Sequence, residues 1–141
     1  MHKRRTILEA VCTRLKTVSG LAGVWIQRSA PTRLAFPCVT LFANEETCET
    51  LTINLQPRPQ HRVLTISINI WILGSTDDEK AESDMDAAAL LVESVISCPA
   101  AADDILLIAT DFKVSEEEPK IHVCNLTYQI KYQTNELTPI A

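Results

Sequence analysis

Apolar and polar residues alternate with a period of two along much of the chain, which is the spacing of a strand with one buried face. Val63 to Leu73 shows this most clearly, and Ile121 to Tyr132 repeats it near the end of the chain. The apolar faces carry Leu64, Ile66, Ile68, Ile70 and Ile72, and then Cys124, Leu126, Tyr128, Ile130 and Tyr132. We therefore expect two strands that bury these faces. Weaker patterns predict further strands at Leu21–Gln27, Phe36–Ala43, Thr47–Leu55 and Ile108–Ser115.

Two segments show the apolar spacing of an amphipathic helix. The first runs from Arg4 to Val18. The second begins at Ser75-Thr76-Asp77, whose hydroxyl and acidic side chains suit a helix start, and runs to about Ser97. One short helical turn is predicted within residues 100–107. The predicted order is α-β-β-β-β-α-β-β, an α+β fold with two long helices packed on one face of a mainly antiparallel or mixed sheet.

Residues 1–141 are expected to form one domain, because this length suits a single core and the three glycines leave little room for flexible linkers. Residues 44–62 are predicted to form a charged β-hairpin excursion. Within it, Pro57 and Pro59 predict a loop or irregular edge at Gln56–Arg62, since proline lacks the backbone donor that a strand uses. The polar tail, residues 133–141, is predicted to be loose.

Composition and charge exclude several classes of protein. Hydrophobic residues make up 46% and charged residues 22% of the chain, which argues against disorder. The net charge is −5 and the basic residues are dispersed along the sequence, which argues against nucleic-acid binding. The basic cluster His2-Lys3-Arg4-Arg5 is interpreted as a solvated leader to the first helix. No apolar run approaches the roughly 20 residues that cross a bilayer, and the N-terminus lacks a secretory signal, which predicts a cytosolic protein.

Signatures of catalysis and metal binding are absent from the sequence. It contains no GxSxG, P-loop, GxGxxG or HExxH motif, and no spacing forces His2, His61 and His122 onto one metal. The acidic pairs suit helix starts and loops better than acid–base chemistry or magnesium binding. Most of the scattered cysteines fall on apolar faces and are predicted to be reduced core thiols; the five are Cys12, Cys38, Cys48, Cys98 and Cys124. We therefore expect no catalytic residues, no metal site and no cofactor.

Two features favour contact with other proteins. Trp71 lies on the polar face of the clearest strand, where a tryptophan either packs under a second helix or anchors an interface. The segment from Glu45 to Arg62 is too charged for a core and too long for a tight hairpin, and long excursions of this kind are usually functional. The candidate interface residues are Glu45, Glu46, Arg58, His61, Arg62 and Trp71.

An ordered set of segments carries a resemblance over nearly the whole chain. A helix with the pattern ILxAVxxRL precedes Phe36-Pro37-Cys38-Val39-Thr40-Leu41, and a charged hairpin leads into the strand RVLTISINI. After a helix with an acidic start, the chain closes with NLTYQIKY, residues 125–132. This set resembles the tail terminator proteins (minor tail protein U) of lambda-like long-tailed bacteriophages, which share an FPAV-like strand, a long alternating strand and a terminal LTYxIxY strand. The cysteines and the prolines of the hairpin depart from that family.

The resemblance implies a structural virion protein of a siphovirus. It would form a hexameric ring that caps the tail tube, stops its polymerisation and offers its other face to the head. Its partners would be copies of itself, the tail tube protein and a head–tail connector protein, with no membrane and no sequence-specific nucleic acid, although DNA would pass through the ring lumen. Its place would be the head-proximal end of the tail in the virion, and the host cytoplasm during assembly.

A ring uses two different patches on each subunit rather than one self-complementary patch. The hairpin and the exposed sides of the two long strands are predicted to supply them. We expect that replacing Arg58 and Arg62 by Glu disturbs assembly without unfolding the monomer.

Two alternatives stay open at this point. Another phage neck or head-completion protein would share the ring and the small α+β build, and its partner and copy number in the virion would distinguish it. A small ferredoxin-like ligand-binding module or enzyme would instead show a concave apolar pocket with convergent polar groups.

Overall fold

The structure, a computed structural model, describes residues 3–28, 37–50, 59–73, 78–115 and 120–135. The elements within these ranges are α1 (Lys3–Leu15), β1 (Gly23–Ile26), β2 (Cys38–Thr50), β3 (Pro59–Leu73), α2 (Asp78–Val95), β4 (Asp104–Val114) and β5 (Ile121–Asn135). The predicted α+β class is confirmed. The described order is α-β-β-β-α-β-β, so three strands rather than the predicted four lie between the helices.

A mixed sheet holds these strands in the order β1-β2-β3-β5-β4. β1 runs parallel to β2, and every other neighbouring pair is antiparallel. The central strand β3 pairs with β5 along its whole length, from Pro59 opposite Asn135 to Leu73 opposite Ile121. α1 packs on β1 and β2, and α2 packs on β3 and β5. Both helices cover the same side of the sheet, which we call the helix face; the other side is the open face.

The helix face forms the core, as the alternating pattern predicted. The inward residues predicted on β3 and β5 are all buried, and α1 and α2 contribute further buried apolar side chains, including Ile7, Val11, Leu15, Met85 and Val92. Each fully buried aliphatic side chain contributes about 1.5–3 kcal/mol relative to an exposed one. This layer is therefore the main source of stability.

β2 unites two segments that the sequence predicted as separate strands. Its first half places Val39 and Leu41 on the helix face, opposite β3. The register then shifts by one residue between Ala43 and Glu45, which is a β-bulge. The bulge interrupts the period of two, and this interruption was interpreted as a gap between strands. Beyond it Glu46 pairs with Leu64 and returns to the helix face.

Three predicted boundaries are wrong because strand pairing continues further than the local sequence suggested. Residues 59–62, predicted as a loop or irregular edge, belong to β3; all four pair with β5, and residues 60–62 also pair with β2. β4 begins at Asp104 instead of Ile108, so residues 104–107 form strand rather than a helical turn. β5 continues to Asn135, so residues 133–135 are not loose. The rest of the predicted excursion, 51–58, and of the tail, 136–141, lies outside the described residues.

The helices are shorter than predicted. α1 ends at Leu15 with 13 residues, so of the two only α2, with 18, is long. The amides of Thr17 and Val18 donate to carbonyls three residues back, and Gly20 adopts a φ of 90°. This left-handed conformation suits glycine and ends the helical turn. The predicted start signal of the second helix, Ser75 to Asp77, falls outside the part of the chain that the structure describes.

Candidate assembly surfaces

An ion-pair cluster connects the C-terminal part of β2 and the N-terminal part of β3 to α1. Arg62 Nη1 lies 3.3 Å from Glu46 Oε2, and Arg4 Nη1 lies 2.8 Å from the same oxygen. The Tyr132 hydroxyl donates a hydrogen bond to Glu46 Oε1. Because these side chains come from α1, β2, β3 and β5, the cluster ties four elements together.

Burial makes this cluster part of the fold rather than of the surface. The exposed fractions of the side chains are 10% for Glu46 and 12% for Arg62, and Tyr132 is buried. Burial, and then the hydrogen bond to Glu46, raises the pKa of Tyr132 to about 12, so its hydroxyl remains a donor at neutral pH. Arg62 also donates to Gln60 Oε1 from Nε and Nη2, at 3.2 and 2.9 Å. Removing one member of so shielded an ion pair is strongly destabilising.

On the open face, the same parts of β2 and β3 are accessible to solvent. Glu45, opposite Thr65, is exposed, and Glu49 is exposed opposite a half-buried His61. The structure therefore divides the predicted interface residues of the hairpin between two faces. Glu46 and Arg62 meet on the helix face, Glu45 and His61 lie on the open face, and Arg58 lies outside the described residues.

Trp71 lies on the open face of β3, away from both helices, so the predicted option of packing under a second helix is wrong. Its Nε1 donates to Thr40 Oγ1 at 2.9 Å, and the indole is half-buried. On the same face Asn125 Nδ2 donates to Asn69 Oδ1 at 2.6 Å. Trp71, Asn69 and Asn125 line a groove of about 500 Å³ whose wall also includes Asp111. The groove is polar and open to solvent at the sheet surface.

The edge strand β4 is a surface that the sequence interpretation missed. Among the described strands it pairs with β5 alone. Its side chains Leu106, Ile108, Phe112 and Val114 are 56%, 48%, 54% and 46% exposed. A long apolar edge of this kind is a candidate surface for association, because one side of its backbone has no partner among the described strands and its apolar side chains are exposed. The signal in the sequence was the run ILLIA, residues 105–109, which is apolar without alternation and so is typical of a strand covered on both faces.

The cysteines occupy both buried and exposed positions. Cys12, Cys38 and Cys124 are buried and free, which confirms the prediction for most of the cysteines, whereas Cys48 and Cys98 are exposed. Burial raises the pKa of the Cys38 thiol to about 11. These thiols therefore stay protonated at neutral pH and pack as small apolar side chains.

His122 lies buried on the helix face, and its Nε2 has no hydrogen-bond partner among the residues that the structure describes. In the described ranges, no three His, Cys, Asp or Glu side chains lie close enough together to hold a metal ion. Of the described helices, neither is long and apolar enough to cross a membrane.

Comparison with known proteins identifies a solved structure with a similar fold. No protein-family model and no curated protein matches the sequence. A chain in the solved structure of the virion of a native gene transfer agent particle has a TM-score of 0.62 to this chain at 14% sequence identity. The match covers 89% of this chain and 93% of that chain. At this identity the similarity establishes a shared fold.

Proposed function

We propose that this chain is a structural component of a phage-like particle and, within that class, a tail terminator. Copies of it form a ring that caps the tail tube, stops its polymerisation and provides the surface to which the head connector joins. The observation that carries the proposal is the fold shared with a gene transfer agent virion chain along nearly the full length of both chains. The ordered strand and helix patterns of the sequence support the finer assignment.

The exposed edge of β4 supports an assembly role. An isolated subunit leaves four large apolar side chains of one edge strand about half exposed, and protein surfaces of this type are usually covered by a partner. The proposal assigns no catalytic step and no cofactor to the chain. Its chemistry is the burial of protein surface in an assembly.

The surface proposed to contact the tail tube or a neighbouring subunit is the open face of the C-terminal part of β2 and the N-terminal part of β3. Glu45 and His61 lie there, and Trp71 lies further along the same open face. Glu46 and Arg62 act indirectly, because their mutual ion pair holds these parts of the two strands in place. Replacing Arg62 by Glu would therefore disturb the fold as well as assembly. Glu45→Lys is the cleaner substitution for this surface.

The test is a particle-producing strain from which the coding sequence has been deleted. We expect tails of uncontrolled length and heads that do not join them, with both defects reversed by the wild-type chain supplied from a plasmid. The Glu45→Lys chain should restore both functions less well than a chain carrying Asp84→Lys, an exposed reversal on the side of α2 that lines a hollow with Leu21 and Pro37. Tails of normal length joined to heads in the deleted strain would contradict the terminator assignment.

A second neck component remains the competing assignment, since the shared fold supports a phage-like virion role without specifying a position. The same deletion separates the two. Tails of normal length combined with unjoined heads would indicate a head-completion or joining protein. A purified particle that never contains the chain would contradict both assignments.

A further inference from the structure

The two helices carry opposite net charge, although the basic residues are dispersed along the sequence. α1 contains four Lys or Arg and one Glu, whereas α2 contains six Asp or Glu and one Lys. α1 lies over β1 and β2, and α2 lies over β3 and β5. Since the sheet order is β1-β2-β3-β5-β4, the basic helix and the acidic helix occupy opposite halves of the sheet.

The acidic half ends in the apolar edge strand. Asp86 and Glu93 are exposed, and both raise the pKa of the Cys124 thiol on β5, after the larger effect of burial. Asp84, Ala87 and Leu91 line a hollow with Leu21 and Pro37 on the other side of α2. Helical spacing therefore places Asp86 and Glu93 on the side that faces β5 and β4. Phe112 pairs with Cys124 and projects, half exposed, from the helix face of β4. We call Asp86, Glu93, Phe112 and Val114 the acidic flank.

The basic half ends at β1. Ala10 and Arg14 of α1 line a hollow together with Pro99, which follows α2. The opposite side of α1, which carries Arg5 and Lys16, therefore faces away from α2, towards the β1 edge. Arg5, Glu9, Cys12 and Lys16 follow one another at intervals of three or four residues, which places them on one stripe. On this stripe Arg5 Nε lies 3.2 Å from Glu9 Oε1.

At the same edge, Arg28 follows β1. Its Nη2 donates to the Ala43 carbonyl at 2.5 Å, and its guanidinium lies 4.9 Å from the Phe42 ring centroid. Phe42 pairs with Ser67 on the open face, and Arg28 shares a hollow with Glu45 and Glu46, so its charge is separate from those of Arg5 and Lys16. We call Arg5 and Lys16 the basic flank.

We propose that the acidic flank of one copy docks on the basic flank of the next copy, so that identical chains associate head to tail. This inference rests on the proposed function and names the surfaces that build the ring. The occupant of the apolar β4 edge is thus a second copy of this chain. Charge complementarity selects it, because acidic and basic residues face each other across the contact.

The same charges disfavour the alternative of a two-fold dimer. A two-fold contact places the same patch of both copies together, which would set Asp86 and Glu93 against their own equivalents. A head-to-tail contact instead leaves one free flank of each kind at the ends of a short oligomer. Closure into a ring removes both free flanks.

Charge reversal tests the flanks without removing side-chain volume from the core. The first variant carries Asp86→Lys and Glu93→Lys, the second carries Arg5→Glu and Lys16→Glu, and the third carries all four substitutions. Each side chain is exposed, so urea unfolding should show near wild-type stability for every variant. Self-association is measured by light scattering and sedimentation velocity at low ionic strength, where screening is weakest.

Wild-type protein should associate, and each one-flank variant should associate about 100-fold or more weakly, because like charges then meet across the contact. The four-fold variant should recover to within about tenfold of wild type, since its flanks are again complementary. As a matched control, Asp84→Lys should have less effect than Glu93→Lys, because Asp84 lies on the side of α2 that lines a hollow with Leu21 and Pro37.

Three outcomes would overturn the flank assignment. Wild-type protein could remain monomeric at low salt and high concentration, the one-flank variants could associate normally, or the four-fold variant could fail to recover although folded. None of these affects the deletion experiment, which tests tail length and head joining in the particle. Failure of the flank assignment and failure of the proposed function are therefore distinguishable.

Discussion

At the scale of single residues, two adjacent glutamates have different roles. Glu46 lies on the helix face, ion-paired with Arg4 and Arg62 and hydrogen-bonded by Tyr132, whereas Glu45 is exposed on the open face. The sequence identified both as interface candidates because a pair of acidic residues carries no mark of which one is shielded. The bulge before them decides which face each takes, and a bulge depends on the partner strand rather than on local sequence.

The difference between the two glutamates can be measured as stability. We expect Glu46→Lys to lower the free energy of unfolding by about 3 kcal/mol, because it places a third cation beside Arg4 and Arg62 at a shielded site. Glu45→Lys should change it by less than about 0.5 kcal/mol, as is usual for an exposed substitution. Urea denaturation of the two variants makes the comparison. Equal effects would contradict the account of the ion-pair cluster.

At the scale of elements, the longest alternating patterns were the most reliable guides. β3 and β5 bury the residues that the period of two assigned to the core, because each strand has partners on both sides and a helix over one face. Errors occurred where pairing overrode local sequence. Pro59 begins a central strand despite its missing donor, and residues 133–135 continue β5 because β3 extends alongside them.

The bulge in β2 gives an element-scale prediction. Deleting Asn44 should restore regular pairing without changing the face of Ala43 or Glu46, so the protein should fold with a loss of less than about 2 kcal/mol. Deleting Thr65, which lies opposite Glu45 in regularly paired β3, should prevent folding, because it moves one half of the strand to the wrong face. Circular dichroism and urea denaturation measure the folding and stability of both deletion variants. Similar behaviour of the two deletions would contradict the bulge.

At the scale of the whole molecule, the proposed assembly rests on two features, the exposed apolar edge of β4 and the charge difference between the two helices. The sequence pointed to assembly through its charged hairpin and Trp71, and the β4 edge could not be found in that way because exposure depends on where α2 lies. α2 covers β3 and β5, so the end of β4 remains uncovered. Topology thus determines which apolar residues are available to a partner.

Electron cryomicroscopy of purified particles tests the central claim most directly, since it locates the chain within an assembly. The account predicts a closed ring of copies of this chain at the head-proximal end of the tail, with the Phe112 side of each copy against the Lys16 side of the next. Particles in which the chain is absent, or is present as isolated copies that do not touch one another, would contradict it.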